Sequence, residues 1–161
     1  MIDDKRIDIA QEYFNQAYKL QLEGHLDEAA DYYKMSIDVF PTAEAHTFLG
    51  WTYSLQNKLQ KAIDECNIAI ELDEEYGNPY NDIGSYMIKL GNFDEAIPYF
   101  EKAIEAPRYV SRHYPYFNLG KVYERKGDWM KAMAYYRQAL EINPDYDIAQ
   151  KAVIRITAML N

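Results

Sequence analysis

Residues 118–136 read "NLGKVYERKGDWMKAMAYY", and the fold turns on the glycine in their middle. The stretch has a helix-forming composition, yet Gly in a helix interior costs ~1 kcal/mol relative to Ala. Gly120 followed by Lys121 invites a phosphate loop, but the earlier Gly and the following Ser or Thr that cradle phosphate and magnesium are absent. Trp129 and the nearby tyrosines invite a stacking surface. The remaining reading is that a neighbouring helix packs closely on Gly120.

Relatives of the stretch upstream favour packing. "FLGWTY" (48–53) matches "NLGKVY" (118–123), and "DIGSYM" (82–87) and "NQAYKL" (15–20) are looser copies, the last with Ala17 for the Gly. A turn and then an alanine follow each copy; these alanines are Ala29, Ala62, Ala96 and Ala132, spaced by 33, 34 and 36 residues. A period of this length marks a helical repeat array. Small residues let two antiparallel helices approach, so Gly120 is expected to face Ala132 and Ala139. Gly24, Gly91 and Gly127 fall where first helices end and left-handed backbone is wanted, with Asn57 in that place in the second copy. Gly77 separates two copies.

The pattern resembles the tetratricopeptide repeat, a 34-residue helix-turn-helix unit reading W-x-x-L-G-x-x-Y, then A-x-x-x-F, then P. The last copy fits best, with Tyr116, Leu119, Gly120, Tyr123, Ala132, Tyr136, Ala139 and Pro144. The second has His46, Leu49, Gly50, Tyr53, Ala62 and Ala69, but Cys66 replaces the aromatic and Glu74 the proline. The third has Tyr80, Ile83, Gly84, Ala96, Phe100 and Ala103; the first keeps Tyr13, Ala17, Ala29, Tyr33 and Pro41. The resemblance implies an all-α, right-handed superhelical solenoid. Four units at about 10–42, 43–76, 77–112 and 113–146 would be closed by a capping helix at about 146–160, with residues 1–161 forming one domain.

Nine helices are expected: about 4–22, 25–39, 43–56, 59–72, 78–90, 93–105, 112–126, 129–142 and 146–160. Asn92 and Glu95 read as a capping box, and Ser111 as a cap for the helix after it. The segment "APRYVSRHYP" (106–115) carries the two extra residues of the longest spacing and is the candidate irregular joint, either a hinge or a long turn. The last helix places Ala149, Val153, Ile156 and Leu160 on one face, with Ile154 opposite.

Composition narrows the function. The chain has 161 residues, enough for a core, and a formal charge of −9, which argues against a polyanionic partner such as nucleic acid. One cysteine forms no internal disulfide and suits a reducing cytosol. "MIDDKRIDIAQEYF" (1–14) has neither the look of a signal peptide nor that of a membrane span. The expectation is therefore a cytoplasmic protein with no membrane partner. His25, His46 and His113 lack zinc spacing, and the glycine of "LDEEYGNPYND" (72–82) is misplaced for a calcium loop. No catalytic constellation stands out, so the expectation is a non-enzyme without cofactor or metal. Cys66 reads as a core thiol.

In the tetratricopeptide family the first helices line a concave groove that commonly holds a peptide or helix of another protein. Carried onto this chain, the groove positions are Phe14, Asn15, Tyr18, Thr47, Trp51, Asn78, Asn81, Ser85, Tyr114, Phe117, Asn118, Lys121 and Arg125. Lys151 and Arg155 extend them on the capping helix. Asn15, Asp82 and Asn118 occupy a place where the family often has Asn, able to bond a ligand's backbone. The positions that would form a dicarboxylate clamp for a chaperone tail hold Phe14, Tyr18, Phe48, Asn78 and Asp82, so that subtype is disfavoured. The groove is expected to be aromatic near Phe14, Tyr18 and Trp51 and basic near Lys121, Arg125, Lys151 and Arg155. Adaptor, scaffold or assembly factor is the leading reading, as monomer or weak homodimer. The alternative is a structural protein that self-associates by its edge or capping helix.

Overall fold

The computed structural model describes residues 2–161, with side chains from Asp4 onward. Among the described residues there are nine helices: α1 Ile2–Leu22, α2 Leu26–Val39, α3 Ala43–Leu55, α4 Leu59–Leu72, α5 Asn78–Lys89, α6 Phe93–Glu105, α7 His113–Arg125, α8 Trp129–Ile142 and α9 Asp147–Leu160. They pack as four hairpins, α1 with α2, α3 with α4, α5 with α6 and α7 with α8, and α9 lies on α8. Each hairpin meets the next through its second helix, giving an all-α solenoid. No helix among the described residues is long and apolar enough to cross a membrane.

The glycines sit where the helices of a hairpin touch, but the neighbour differs from the expected one. A Cβ on Gly120 would lie 2.5 Å from the Tyr136 ring, and one on Gly84 would lie 2.6 Å from the Phe100 ring. The second helix's aromatic therefore presses on the glycine, ahead of the alanines. Only where Cys66 replaces that aromatic does alanine backbone come first: a Cβ on Gly50 would meet the Ala62 carbonyl at 2.9 Å. Gly77 is also a packing residue, since a Cβ there would fall 2.4 Å from Tyr109. Gly24, Gly91 and Gly127, with φ of 85°, 84° and 79°, turn the chain between helices, and Asn57 does so at 60°.

Three local expectations need correcting. Asn92 takes the N-cap position of α6 but its side chain makes no cap bond. Its N–H already donates to the Met87 carbonyl at 2.9 Å, so the donor that Glu95 would serve in a capping box is taken. Ser111 does not cap α7: the N-cap is Arg112, which makes no side-chain cap bond. On α9 the buried face is Ala149, Ala152 and Ile156, with Val153 half-buried; Leu160 is exposed because the helix end outruns the hairpin it covers.

The segment 106–112 is tied down. Gly77 N–H donates to the Arg108 carbonyl at 3.1 Å, and Arg108 N–H donates to the Glu75 carbonyl at 3.0 Å. The Arg108 guanidinium pairs with Asp73 and lies 3.8 Å from Glu44 of α3. Arg112 donates to the carbonyls of Ile104, Tyr109 and Ala106 at 2.9, 2.6 and 2.5 Å. These bonds make the joint a strap across the boundary between the second and third hairpins, not a hinge.

Candidate functional site

The first helices α1, α3, α5 and α7 touch one another from hairpin to hairpin, while the second helices do not to any comparable degree. The first helices are thus on the inside of the curve, and their outward-facing residues line a concave groove. Three zones of different chemistry follow one another along it.

The first zone is aromatic. Phe48 is its centre: its ring lies 5.2 Å from Phe14, 5.7 Å from Tyr18 and 5.9 Å from Trp51, each edge-on. Such contacts favour rings beyond their area of burial. Tyr18 and Trp51 remain 40% and 36% exposed, so the cluster presents apolar surface to the groove. Phe48 was absent from the expected groove set, although it has the same register before its Leu-Gly pair as Asn118. Thr47, in that set, is a correction: it is buried, and its hydroxyl donates to the Ala43 carbonyl at 2.7 Å. That bond to its own helix turns Thr47 away from the groove, and Phe48, one residue on, reaches the ring cluster instead. Asn15 is exposed and accepts from Gln11 at 2.9 Å. Beside the cluster Gln21 is buried, accepting from the Tyr33 hydroxyl at 2.7 Å, while its Nε2 has no partner.

The middle zone is polar. Asn78, Asn81, Asp82, Ser85 and Asn118, with Tyr109, Ser111 and Tyr114, line a recess of about 320 Å³. The Asn118 amide donates to Asn81 Oδ1 at 3.1 Å and to Ser85 Oγ at 3.3 Å, locking three expected groove residues together. Burial raises the Asp82 carboxyl to about 7, opposed only by the Asn81 amide. Its charge is felt by Tyr76, Tyr86, Tyr109 and Cys66, all of which burial holds above their ordinary values.

The last zone is basic. Phe117, Lys121, Glu124 and Arg125 of α7, Trp129 and Tyr136 of α8, and Ile148, Lys151, Ala152 and Arg155 of α9 enclose a cleft of about 790 Å³. Its four cations are not equivalent. Arg155 donates to both oxygens of Glu124, at 2.5 and 2.9 Å, and Glu124 also accepts from the Tyr136 hydroxyl at 2.6 Å. Lys151 pairs with Asp147 at 2.6 Å. Lys121 and Arg125 have no acidic partner among the described residues; they lie over the Phe117 and Phe93 rings, at 5.9 and 5.6 Å. Burial lowers Lys121 from its ordinary value, and nearby Lys89 adds to the effect. Of the four expected groove cations, only Lys121 and Arg125 thus stand without an acidic partner among the described residues. Tyr114 is 43% exposed and meets Tyr146 edge-on at 5.7 Å, as Phe117 does at 5.2 Å. Tyr146 joins this zone from the turn before α9, outside the repeat register that marks the other groove positions.

Comparison with known proteins agrees with this architecture. Two tetratricopeptide repeat profiles match residues 22–76 and 75–145. The chain is 29% identical over 132 residues to BBSome complex member BBS4 of Bos taurus, covering 81% of this chain and 25% of that protein. It is 36% identical over 62 residues to Photosystem I assembly protein Ycf3 of Acaryochloris marina, covering 38% of this chain and 34% of that one. Among solved structures it resembles PilF of Pseudomonas aeruginosa, with a TM-score of 0.90 at 18% identity, over 96% of this chain and 70% of that one. The chain spans between a quarter and three fifths of the length of the first curated relatives it matches.

Proposed function

Because the chain belongs to the tetratricopeptide repeat family, we propose that it is a non-enzymatic protein–protein interaction module, an adaptor, scaffold or assembly factor. Its concave groove takes a peptide or helix of a partner protein. The observation that carries this is the ring cluster of Phe14, Tyr18, Phe48 and Trp51, which spans two hairpins and leaves Tyr18 and Trp51 facing the groove. Buried aromatic anchors supply most of the affinity at protein interfaces. Lys121 and Arg125, at the far end, set direction and on-rate for a segment with acidic residues there. Two relatives whose names speak of a complex and of assembly support a role among other proteins. The same reading takes residues 1–161 as one unit of four repeats and a cap, working in the cytoplasm as a monomer or weak homodimer.

The test is a pull-down from the source cell followed by binding measurements on the partner recovered. Trp51→Ala is expected to weaken binding at least tenfold. Lys121→Glu with Arg125→Glu is expected to slow association and flatten its salt dependence. Parental binding by both variants would show that the groove is not the site. Self-association is the competing reading, favoured by Ile154, which is 68% exposed on the open side of α9. A dimer by light scattering that Ile154→Lys dissolves would support it.

A further inference from the structure

We infer that the recess at the middle of the groove is a receptor for an alkylammonium or guanidinium group, as carried by a lysine or arginine side chain of the docked partner. The inference rests on the groove being the docking face, but it adds a ligand chemistry that neither the aromatic nor the basic zone supplies.

The recess has the lining such a cation requires. Its charged member, Asp82, is half-buried and has no cation beside it; only the Asn81 amide steadies its charge. A carboxylate withdrawn from water without a counter-ion destabilises the fold. The nearby guanidiniums are committed elsewhere: Arg108 to Asp73 and Glu44, and Arg112 to three backbone carbonyls. The amides are arranged so that acceptors are left over. Asn118 spends its N–H groups on Asn81 and Ser85, and its own Oδ1 and the Asn78 side chain have no partner among the described residues. Tyr109 and Tyr114 add aromatic lining to the same recess. Aromatic faces attract ammonium and guanidinium groups, most strongly where water is excluded. A carboxylate, spare amide carbonyls and aromatic rings together fit a cation and would repel an acidic side chain.

The titration of Asp82 turns this recess into a pH-dependent one. Around it stand Tyr76 from the turn before α5, Tyr86 on α5, Tyr109 on the strap and Cys66 on α4, groups ordinarily neutral near pH 7 and held more firmly so by burial. Asp82 is therefore the group that changes charge there, its carboxyl lying at about 7. A cation that binds only the carboxylate loses affinity about tenfold per pH unit below that midpoint. Binding in turn pulls the midpoint down.

The test uses n-butylammonium and n-butylguanidinium as probes on the whole chain, with the Asp82 carboxyl carbon followed by NMR. Without probe, Asp82 should titrate near neutrality. Millimolar probe should lower that midpoint by half a unit or more and shift the Asn81 and Asn118 side-chain amides, while the exposed carboxylate of Asp64 serves as the control for general attraction to an acidic protein. Asp82→Asn should remove the amide shifts. An unmoved midpoint, or amide shifts that persist in Asp82→Asn, would overturn the cation site and leave docking at the aromatic zone standing. A second arm separates the two ideas from the other side. Peptides selected from a random library on the parent should be enriched in Lys or Arg, and the enrichment should be lost on Asp82→Asn but not on Trp51→Ala. Enrichment unchanged on Asp82→Asn would also count against the site.

Discussion

The first and last hairpins place a tyrosine at the same point and satisfy it differently. Tyr33 of α2 donates to Gln21 of α1, and Tyr136 of α8 donates to Glu124 of α7, each pair 12 residues apart. Beyond that the two ends diverge. Glu124 reaches on to Arg155, the ninth residue of α9, whereas the ninth residue of α3 is Trp51. Gln21 is left with its Nε2 unpaired. The amide-for-carboxylate exchange thus accompanies a change in the following helix, from one held by charge to one beside an aromatic surface. The two middle hairpins drop the device altogether, with Cys66 and Phe100 in the tyrosine's place.

The largest effect should come from destroying the contact beneath the device. Gly120→Leu would drive a side chain into the Tyr136 ring. The variant is expected to lose stability at the upper end of the ~1–3 kcal/mol that overpacking costs, or beyond. An unchanged melting temperature would show that the two helices are not apposed as described. The first hairpin has Ala17 at the matching position, fully buried, so its helices already accommodate a Cβ there.

Gln21→Glu gives the first hairpin the carboxylate of the last without its arginine. A buried charge with the Tyr33 hydroxyl but no counter-charge should cost about 1–3 kcal/mol at pH 8. The penalty should fade as pH drops and the new acid is protonated. Urea unfolding at pH 8 and pH 4 would measure both, and a neutral result at pH 8 would mean that a cation reaches this place unseen.

Glu124→Gln makes the reverse exchange and should have the smallest effect. The Arg155 hydrogen bonds hold the Glu124 carboxyl below its ordinary value against the opposing pull of burial, with help from Tyr136. A depressed acid stabilises the fold above its unfolded value and loses that contribution as pH falls through its folded one. Because Arg155 is half exposed, the pair is worth only about 0.5–1 kcal/mol. The gap between parent and variant should be visible at pH 7 and closed in strong acid; a gap that persisted there would assign it to packing.

The fold was legible because its signals are local and repeated. Glycines that end helices and the aromatic two-thirds of the way along the unit recur in three units of four, alanines recur every 33 to 36 residues, and each copy corroborates the others. What the period could not show was which partner a small residue meets, since Ala and aromatic positions share a face of the second helix. The groove was less legible. Trp51, Tyr18 and the Asn81, Ser85 and Asn118 set can be found by register alone, and Asn118 does join the other two. Register does not say whether a side chain turns outward, and Thr47 turned back to its own helix. It does not reveal pairing between elements either, so Arg155 carries no sequence sign of Glu124, whereas the Lys151–Asp147 pair, four residues apart on α9, is legible from spacing alone. The strap hid for the opposite reason: its residues break the period, and an interruption reads the same whether it is loose or bound.

That strap bears on how the chain comes apart. In a linear array each unit senses only its neighbours, so unfolding can begin anywhere and spread one unit at a time. Arg108 reinforces one of these neighbour contacts. It follows α6 in sequence, yet it holds Asp73 after α4 and approaches Glu44 at the start of α3, while its backbone pairs with Glu75 and Gly77. Releasing α6 therefore removes these bonds from the ends of the hairpin before it, which couples the two hairpins beyond their helix packing. The second and third hairpins are expected to open together, and the acid recess, which α7 also lines with Tyr114 and Asn118, straddles the edge of that pair.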